Sequence, residues 1–361
     1  MRRVARMLMF AVLAGCSADT PRVNFSNWAG EIGPTTLADF ERATGITVVP
    51  EQIVDNVSLQ TKLLTGHSGS DVVVPGSNFI GPLIAAGALH RLDRSQLPNW
   101  RHLDPAVLKA LEKIDPGNLY GVPYVWGTQA FAYNVAAVTR ALGREPPASW
   151  DLLFDPATTR RLAACGIAWQ DGAGSIMSDL ALLAIGRDPA TEDPGALAAA
   201  EAALLRVRGD VRYIDNSSRF RSDLANGEIC IATGSSGELL QARDLAREAG
   251  KGVEIRYVLP REGALLWVDL LAIPADVPNI EHAHRLINYL LDPAVIAQVT
   301  NASKFANANR SADVLVDRAV RNDPGIYPPA EAVARLRLVP AESAEYARQR
   351  ARMWTRVRTH R

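Results

Sequence analysis

The sequence predicts an α/β protein built as two lobes of similar size. Short buried-strand runs alternate with helical stretches of about ten residues, the pattern of parallel sheets covered by helices on both faces. The roughly 345 residues that follow Cys16 exceed what one hydrophobic core usually supports. The chain is 48% hydrophobic and 22% charged, an ordinary globular composition. Ligand clefts in such folds lie at the C-terminal ends of the strands.

Taken in order, Asn24 to Trp28 reads as the first strand. Thr36 is placed to cap a helix, Leu37, Phe40 and Ala43 give it an apolar stripe, and Gly45 can end it. Ile46 to Val49 follows as a strand, Ser58 to Leu64 as a helix, and Asp71 to Val74 as a buried strand closed by Pro75-Gly76. Gln129 to Tyr133 is a strand, Asp151 to Leu162 a helix, and Gly166 to Trp169 a strand. Alanine-rich helices then lead to a buried strand over Ile229 to Thr233. Leu265 to Ile273 is a long apolar strand, and Glu281 to Leu291 an amphipathic helix stopped near Pro293.

The N-terminus reads as an export signal. Arg2, Arg3 and Arg6 precede an apolar run from Met7 to Leu13. That run is too short to span a bilayer, which takes about 20 apolar residues, but it suits a removable signal. Leu13-Ala14-Gly15-Cys16 resembles the bacterial lipobox, which would make residues 1–16 a signal ending at a lipidated Cys16 and leave the protein anchored outside the cytoplasm by lipid alone. Cys165 and Cys230 then remain as an even pair in an oxidising compartment, either a disulfide or two buried thiols.

Charge and motifs exclude several functions. Lys plus Arg is 39 and Asp plus Glu is 39, a balance that argues against nucleic acid, which selects basic faces. His282 and His284 stand two apart on a predicted helix and face different sides, so they make a poor metal pair. The other histidines, His67, His90, His102 and His360, show no ligand spacing, and no Cys-x-x-Cys is present. Gly234-Ser235-Ser236-Gly237 is not a nucleophile elbow. Neither a P-loop nor a dinucleotide fingerprint occurs. No enzyme, metal or cofactor is expected.

A run of short phrases then carries a family resemblance. They are Asn27-Trp28, Phe40-Glu41 with Thr44-Gly45-Ile46, Asp71 to Pro75, Leu97-Pro98-Asn99-Trp100, and Gly121-Val122-Pro123-Tyr124. Asp223 to Gly227, Trp267-Val268-Asp269, Ala306 to Asn309 and Asn322 to Pro329 follow. In this order and spacing, from about Val23 to Arg361, the chain resembles the polyamine-binding proteins of bacterial ABC transporters, putrescine binders among them. The resemblance implies the two-lobed type II periplasmic-binding-protein fold, closing on its ligand like a hinged trap, with strands crossing near Pro123–Tyr124, Leu265 and Phe305. One lobe would hold 22–124 with 265–305, the other 125–264 with 306–361. It implies a monomer that passes an amine to a membrane permease, and a disulfide between Cys165 and Cys230. The alternatives are a diverged lipoprotein for another amine, such as agmatine, spermidine or a monoamine, or a sensor or interaction lipoprotein of the same fold.

An amine pocket needs carboxylates for ammonium heads and aromatic faces for the stem. The resemblance assigns Trp28, Trp267 and Phe305 as aromatic walls, Phe305 standing where the family has Tyr. Asp269 and Glu238 are its ammonium acids, Glu238 standing where the family has Asp. Trp267 and Asp269, two apart on a strand, share a face. Ser77 and Asn78 occupy a serine-rich turn of the family, Ser175 a family Glu position, and Ser235 a family Trp position. After Asn27-Trp28, where the family has a hydroxyl residue, an acid and usually Tyr, stand Ala29, Gly30 and Glu31. The acid is displaced by one residue, which in an extended segment would turn Glu31 away from the pocket. One end of the pocket thus reads as kept and the other as rebuilt.

Overall fold

Strands and helices alternate along the whole computed structural model, which describes residues 21–171, 175–215, 219–339 and 341–359. Eleven strands among these residues are β1 (Arg22–Trp28), β2 (Thr47–Ile53), β3 (Val72–Val73), β4 (Gly121–Asn134), β5 (Ile167–Gln170), β6 (Tyr213–Asp215), β7 (Ile231–Ser235), β8 (Ile255–Val258), β9 (Ala264–Ala272), β10 (Ala306–Asn307) and β11 (Leu336–Leu338). Their hydrogen-bonded order is β2-β1-β3-β9-β4-β7-β5-β6, with β8 and β10 also paired to β4 and β11 to β9. Pairing is parallel within β2-β1-β3 and within β7-β5-β6. The long strands β4 and β9 run antiparallel to each other between these two parallel groups.

Two main hydrophobic cores flank that central pair. One gathers Phe25, Val72, Leu83, Leu271 and Ile287, and the other Phe131, Trp150, Trp169, Leu204 and Trp354. β4 gives Val122 and Val125 to the first core and Phe131 and Tyr133 to the second. β9 gives Leu270 and Leu271 to the first and Leu265 to the second. The expected two-lobed α/β fold is therefore present, with β4 and β9 passing from one core to the other. Ala306, Ala312, Val320 and Ile326 are buried in the first core.

Local chemistry explains the element ends. The first helix runs Thr36–Thr44 and stops at Gly45, whose φ of 72° is left-handed and costs glycine little. Its N-cap is Thr35 rather than Thr36, whose buried hydroxyl lies inside the helix. The helix expected over Asp151 to Leu162 is broken into Asp151–Phe154 and Pro156–Leu162. Asp155 precedes a proline, which disfavours helical backbone there, and its carboxylate instead caps the second helix through the Ala157 and Thr158 N–H groups.

Cys165 and Cys230 form a disulfide with S–S 2.04 Å. They stand just before β5 and β7 and clamp the starts of these neighbouring strands. The C-terminal helix Ala344–Thr359 lays Tyr346, Met353, Trp354 and Val357 on the second core. Among the described residues no helix is long and apolar enough to cross a membrane. Cys16 and the apolar run before it lie outside the described residues.

Candidate functional site

β1 ends at Trp28, and the chain turns at once through Ala29 and Gly30, the latter with φ of 79°. Two donors then seize the Glu31 carbonyl: the Tyr124 hydroxyl at 2.7 Å and Asn27 Nδ2 at 3.1 Å. The turn is fixed from both sides, and it sends the Glu31 side chain inward to face Asp269. Only 5% of Glu31 and 7% of Asp269 is exposed. The strand-parity expectation for Glu31 is thus overturned. Alternation holds only in extended backbone, and the left-handed glycine before Glu31 resets the direction.

Asp269 sits on β9 opposite Val125 of β4, and Gly76 forms a bridge to it from the other side. The carboxyl groups of Glu31 and Asp269 meet at hydrogen-bonding range. Burial is the largest cause that pushes the Glu31 carboxyl well above the usual carboxylate range, followed by the charges of Asp269 and then Glu238. Burial also raises Asp269, to about 7, against the lowering effect of its hydrogen bond with Glu31. Glu31 Oε2 is buried with no hydrogen-bond partner.

Glu238 enters from the first turn of the helix Ser236–Ala249, beyond the end of β7. Its Oε2 accepts from Ser235 Oγ at 2.7 Å and from Gln170 Nε2 at 3.1 Å. Gln170 in turn accepts from Gln129 Nε2. Both donors fall on Oε2, so Glu238 Oε1 is left clear of these bonds.

Aromatic side chains stand beside the acids. Trp267, on the same face of β9 as Asp269, meets Phe305 edge to face with centroids 4.9 Å apart. Two glycines make room for them. A Cβ on Gly127 would lie 2.5 Å from Trp267 Cζ2, and one on Gly237 would lie 2.2 Å from Phe305 Cε1. The Trp28 indole N–H donates to the Val74 carbonyl at 2.9 Å, which pins the ring to the loop that leads to Gly76. Ser77 and Asn78 follow Gly76 at the start of the helix Ser77–Ala85.

The acids and aromatics predicted from sequence therefore converge: Asp269, Glu238, Trp267 and Phe305 directly, with Ser235 holding Glu238, and with Trp28, Ser77 and Asn78 along the Val74–Asn78 loop beside Asp269. The side chain of Ser175 lies outside the described residues. Glu31, Gln129 and Gln170 complete the arrangement and were not singled out as contacts. Gln170 ends β5, and strand C-termini are where such clefts form, so its position carried a signal. Glu31 and Asp269 adjoin with Glu238 close enough for its charge to act on Glu31, and among the described residues no Lys, Arg or His shifts either buried carboxyl. Such a site attracts cationic heads, and the rings beside it suit an ammonium and its alkyl stem.

A surface groove of about 870 Å³ lies elsewhere, bordered by Arg243, Asp244, Arg256, Lys304 and Asp323. Its charges already pair, Arg243 with Asp323 at 2.6 Å and with Asp244 at 3.5 Å. Charge satisfied internally gives little reason to recruit a ligand, so the carboxylate cluster is the candidate site. Among the described residues no group of ligands is arranged to hold a metal ion.

Comparison with known proteins points the same way. Residues 35–327 match the family of bacterial extracellular solute-binding proteins. A putrescine-binding periplasmic protein of Pseudomonas aeruginosa is 40% identical over 99% of both chains. A putrescine-binding periplasmic protein of Escherichia coli is 38% identical over 99% of this chain and 96% of its own. In structure, a spermidine/putrescine ABC transporter substrate-binding protein of Streptococcus pneumoniae superposes with a TM-score of 0.78 and 25% identity, covering 94% of this chain and 99% of its own. The chain belongs to the bacterial extracellular solute-binding proteins, a binding component of transport and not an enzyme.

Proposed function

We propose that this protein captures a polyamine, putrescine first among them, in the cleft between its lobes and delivers it to the permease of an ABC importer. The observation that carries this reading is the pair of buried acids Asp269 and Glu31, with the charge of Glu238 acting on Glu31, beside the Trp267–Phe305 pair. An ammonium buried there is matched by charge, where unpaired it would be far too costly. Asp269 and Glu238 take one ammonium head, and Trp28, Trp267 and Phe305 pack along the stem. Ser77, Asn78 and Ser235 line the remainder, and Ser175, whose side chain lies outside the described residues, is retained as a candidate contact from its sequence position. Gly30 and Ser235 stand where the family has an acid and a Trp, and these smaller residues leave room for a guanidino or longer amine, which supports agmatine or spermidine as the next candidates.

In the same reading, the first lobe comprises 22–124 with 265–305, and the second 125–264 with 306–361. The burial of Ala306 and Ile326 in the first core favours moving residues 306–326 to the first lobe. The protein works as a monomer in the periplasm, held at a membrane by lipid on Cys16.

Thermal unfolding of the soluble protein beginning after Cys16, against putrescine, cadaverine, agmatine, spermidine, spermine and γ-aminobutyrate, tests this directly. A ligand at 100 times its dissociation constant adds about 2.7 kcal/mol to stability. One or more amines should raise the midpoint, and Asp269→Asn should abolish the rise. Amine binding undiminished in Asp269→Asn would put the site elsewhere, and no rise with any amine would refute the amine reading.

A further inference from the structure

We propose that Glu31 is a third amine-binding carboxylate, that Glu31 and Asp269 hold one proton between them in the empty site, and that the ligand's ammonium head displaces that proton to solvent. This rests on the amine reading above and deepens it.

The geometry demands a proton. Glu31 and Asp269 are both buried side by side and Glu31 Oε2 has no donor, so two bare charges enclosed together would repel and one of the carboxyls must be protonated. Burial raises both carboxyls above the usual carboxylate range, so the enclosed pair favours holding a proton. Among the described residues no positive group relieves the pair. Glu238 faces it from the start of the helix Ser236–Ala249. From β4 comes Tyr124, whose hydroxyl is already spent on the Glu31 carbonyl. The turn, β9 and the Val74–Asn78 loop bring no Lys, Arg or His to act on either carboxyl.

Glu31 Oε2 is the second observation. It is an acceptor buried without a donor on a side chain that the Tyr124 and Asn27 bonds hold in place. An ammonium brings one positive charge and three N–H donors. It can bond Glu31, Asp269 and the free oxygen of Glu238 together, and it removes the need for the shared proton. The ammonium keeps its three protons, and the carboxylic proton leaves to water. Ligand and proton therefore compete, and capture weakens as the medium turns acidic.

Calorimetric titration of the soluble protein near neutral pH, in two buffers of different ionisation heat, measures the proton directly. Putrescine is the probe, with agmatine in its place should putrescine not bind. About one proton should be released per amine bound. Glu31→Gln should lose most of that release and bind about tenfold or more weakly. Tight binding with no buffer-dependent heat would overturn the shared proton while leaving amine capture standing. Absence of binding by every amine would remove the reading on which the proposal rests, and the proposal with it. The heats of the parent protein alone decide the proton question, so a Glu31→Gln protein that failed to fold would not leave it open.

Discussion

Gly237 shows how tightly the residues of the site are fitted. A methyl group there would overlap the Phe305 ring at 2.2 Å from Cε1, and that ring is held edge-on by Trp267. Gly237→Ala must therefore swing Phe305 or shift the start of the helix that carries Glu238. Forced overpacking of this kind costs about 1–3 kcal/mol, and the lost edge-to-face pair accounts for about 0.5–1.5 kcal/mol. We expect a urea-unfolding midpoint lowered accordingly, and an amine affinity reduced at least as much as in Phe305→Leu. Equal stability of Gly237→Ala and the parent would show that the ring has free space. At this scale the sequence was partly legible. Trp267 and Asp269 could be placed on one face from their spacing alone, because a regular strand preserves alternation. Glu31 could not, since one left-handed glycine undoes the parity rule and only the folded turn shows where the next side chain points.

Among the elements, the C-terminal helix Ala344–Thr359 depends most on a buried charge. Arg350 lies 3.0 Å from Asp179 and 2.6 Å from Glu342, with 8% of its side chain exposed. Burial pushes the Asp179 carboxyl up to about 7 even with Arg350 beside it. Removing the arginine leaves two enclosed acids without their cation, a loss of about 3–5 kcal/mol. Arg350→Ala should thus lower stability by that order. The deficit should be smaller below neutrality, where Asp179 can take up a proton. Urea unfolding of both proteins above and below neutral pH checks both statements, and a deficit independent of pH would mean that lost packing of the arginine stem dominates. This helix is not marked in the sequence because its apolar positions, Tyr346, Met353, Trp354 and Val357, are interleaved with arginines that blur the apolar stripe. The strand alternation of the N-terminal half was plain by contrast. Buried parallel strands such as Val72–Val73 show as uninterrupted apolar runs. The break at Asp155 also carried a local signal, in the proline that follows it.

For the whole molecule, the fold encloses acids that the empty protein has to keep protonated. Glu31 and Asp269 both have carboxyl groups raised above their unfolded values, chiefly by burial. In the window between the unfolded and folded values the native state binds more protons than the unfolded chain, so stability must fall as pH rises. Their contribution is fully present below the unfolded carboxylate range and is lost as pH climbs through the raised values, about 7 for Asp269. Asp179 and Glu342, also raised, act in the same direction and set a background slope. The ligand-free melting midpoint should therefore decline between about pH 5 and about pH 8. Glu31→Gln should flatten that decline, gaining stability over the parent at the upper end while binding amine less well. A saturating amine should flatten it too, because the ammonium takes over from the proton as the partner of the buried acids. The two flattenings have one origin, so they should not add: amine given to Glu31→Gln should leave the slope nearly where the substitution put it. A slope in the parent unaffected by either change would locate the pH sensitivity in Asp179 and Glu342 instead. The cleft acids would then be ionised in the empty protein, which could hold only if the ligand-free lobes stood open and hydrated.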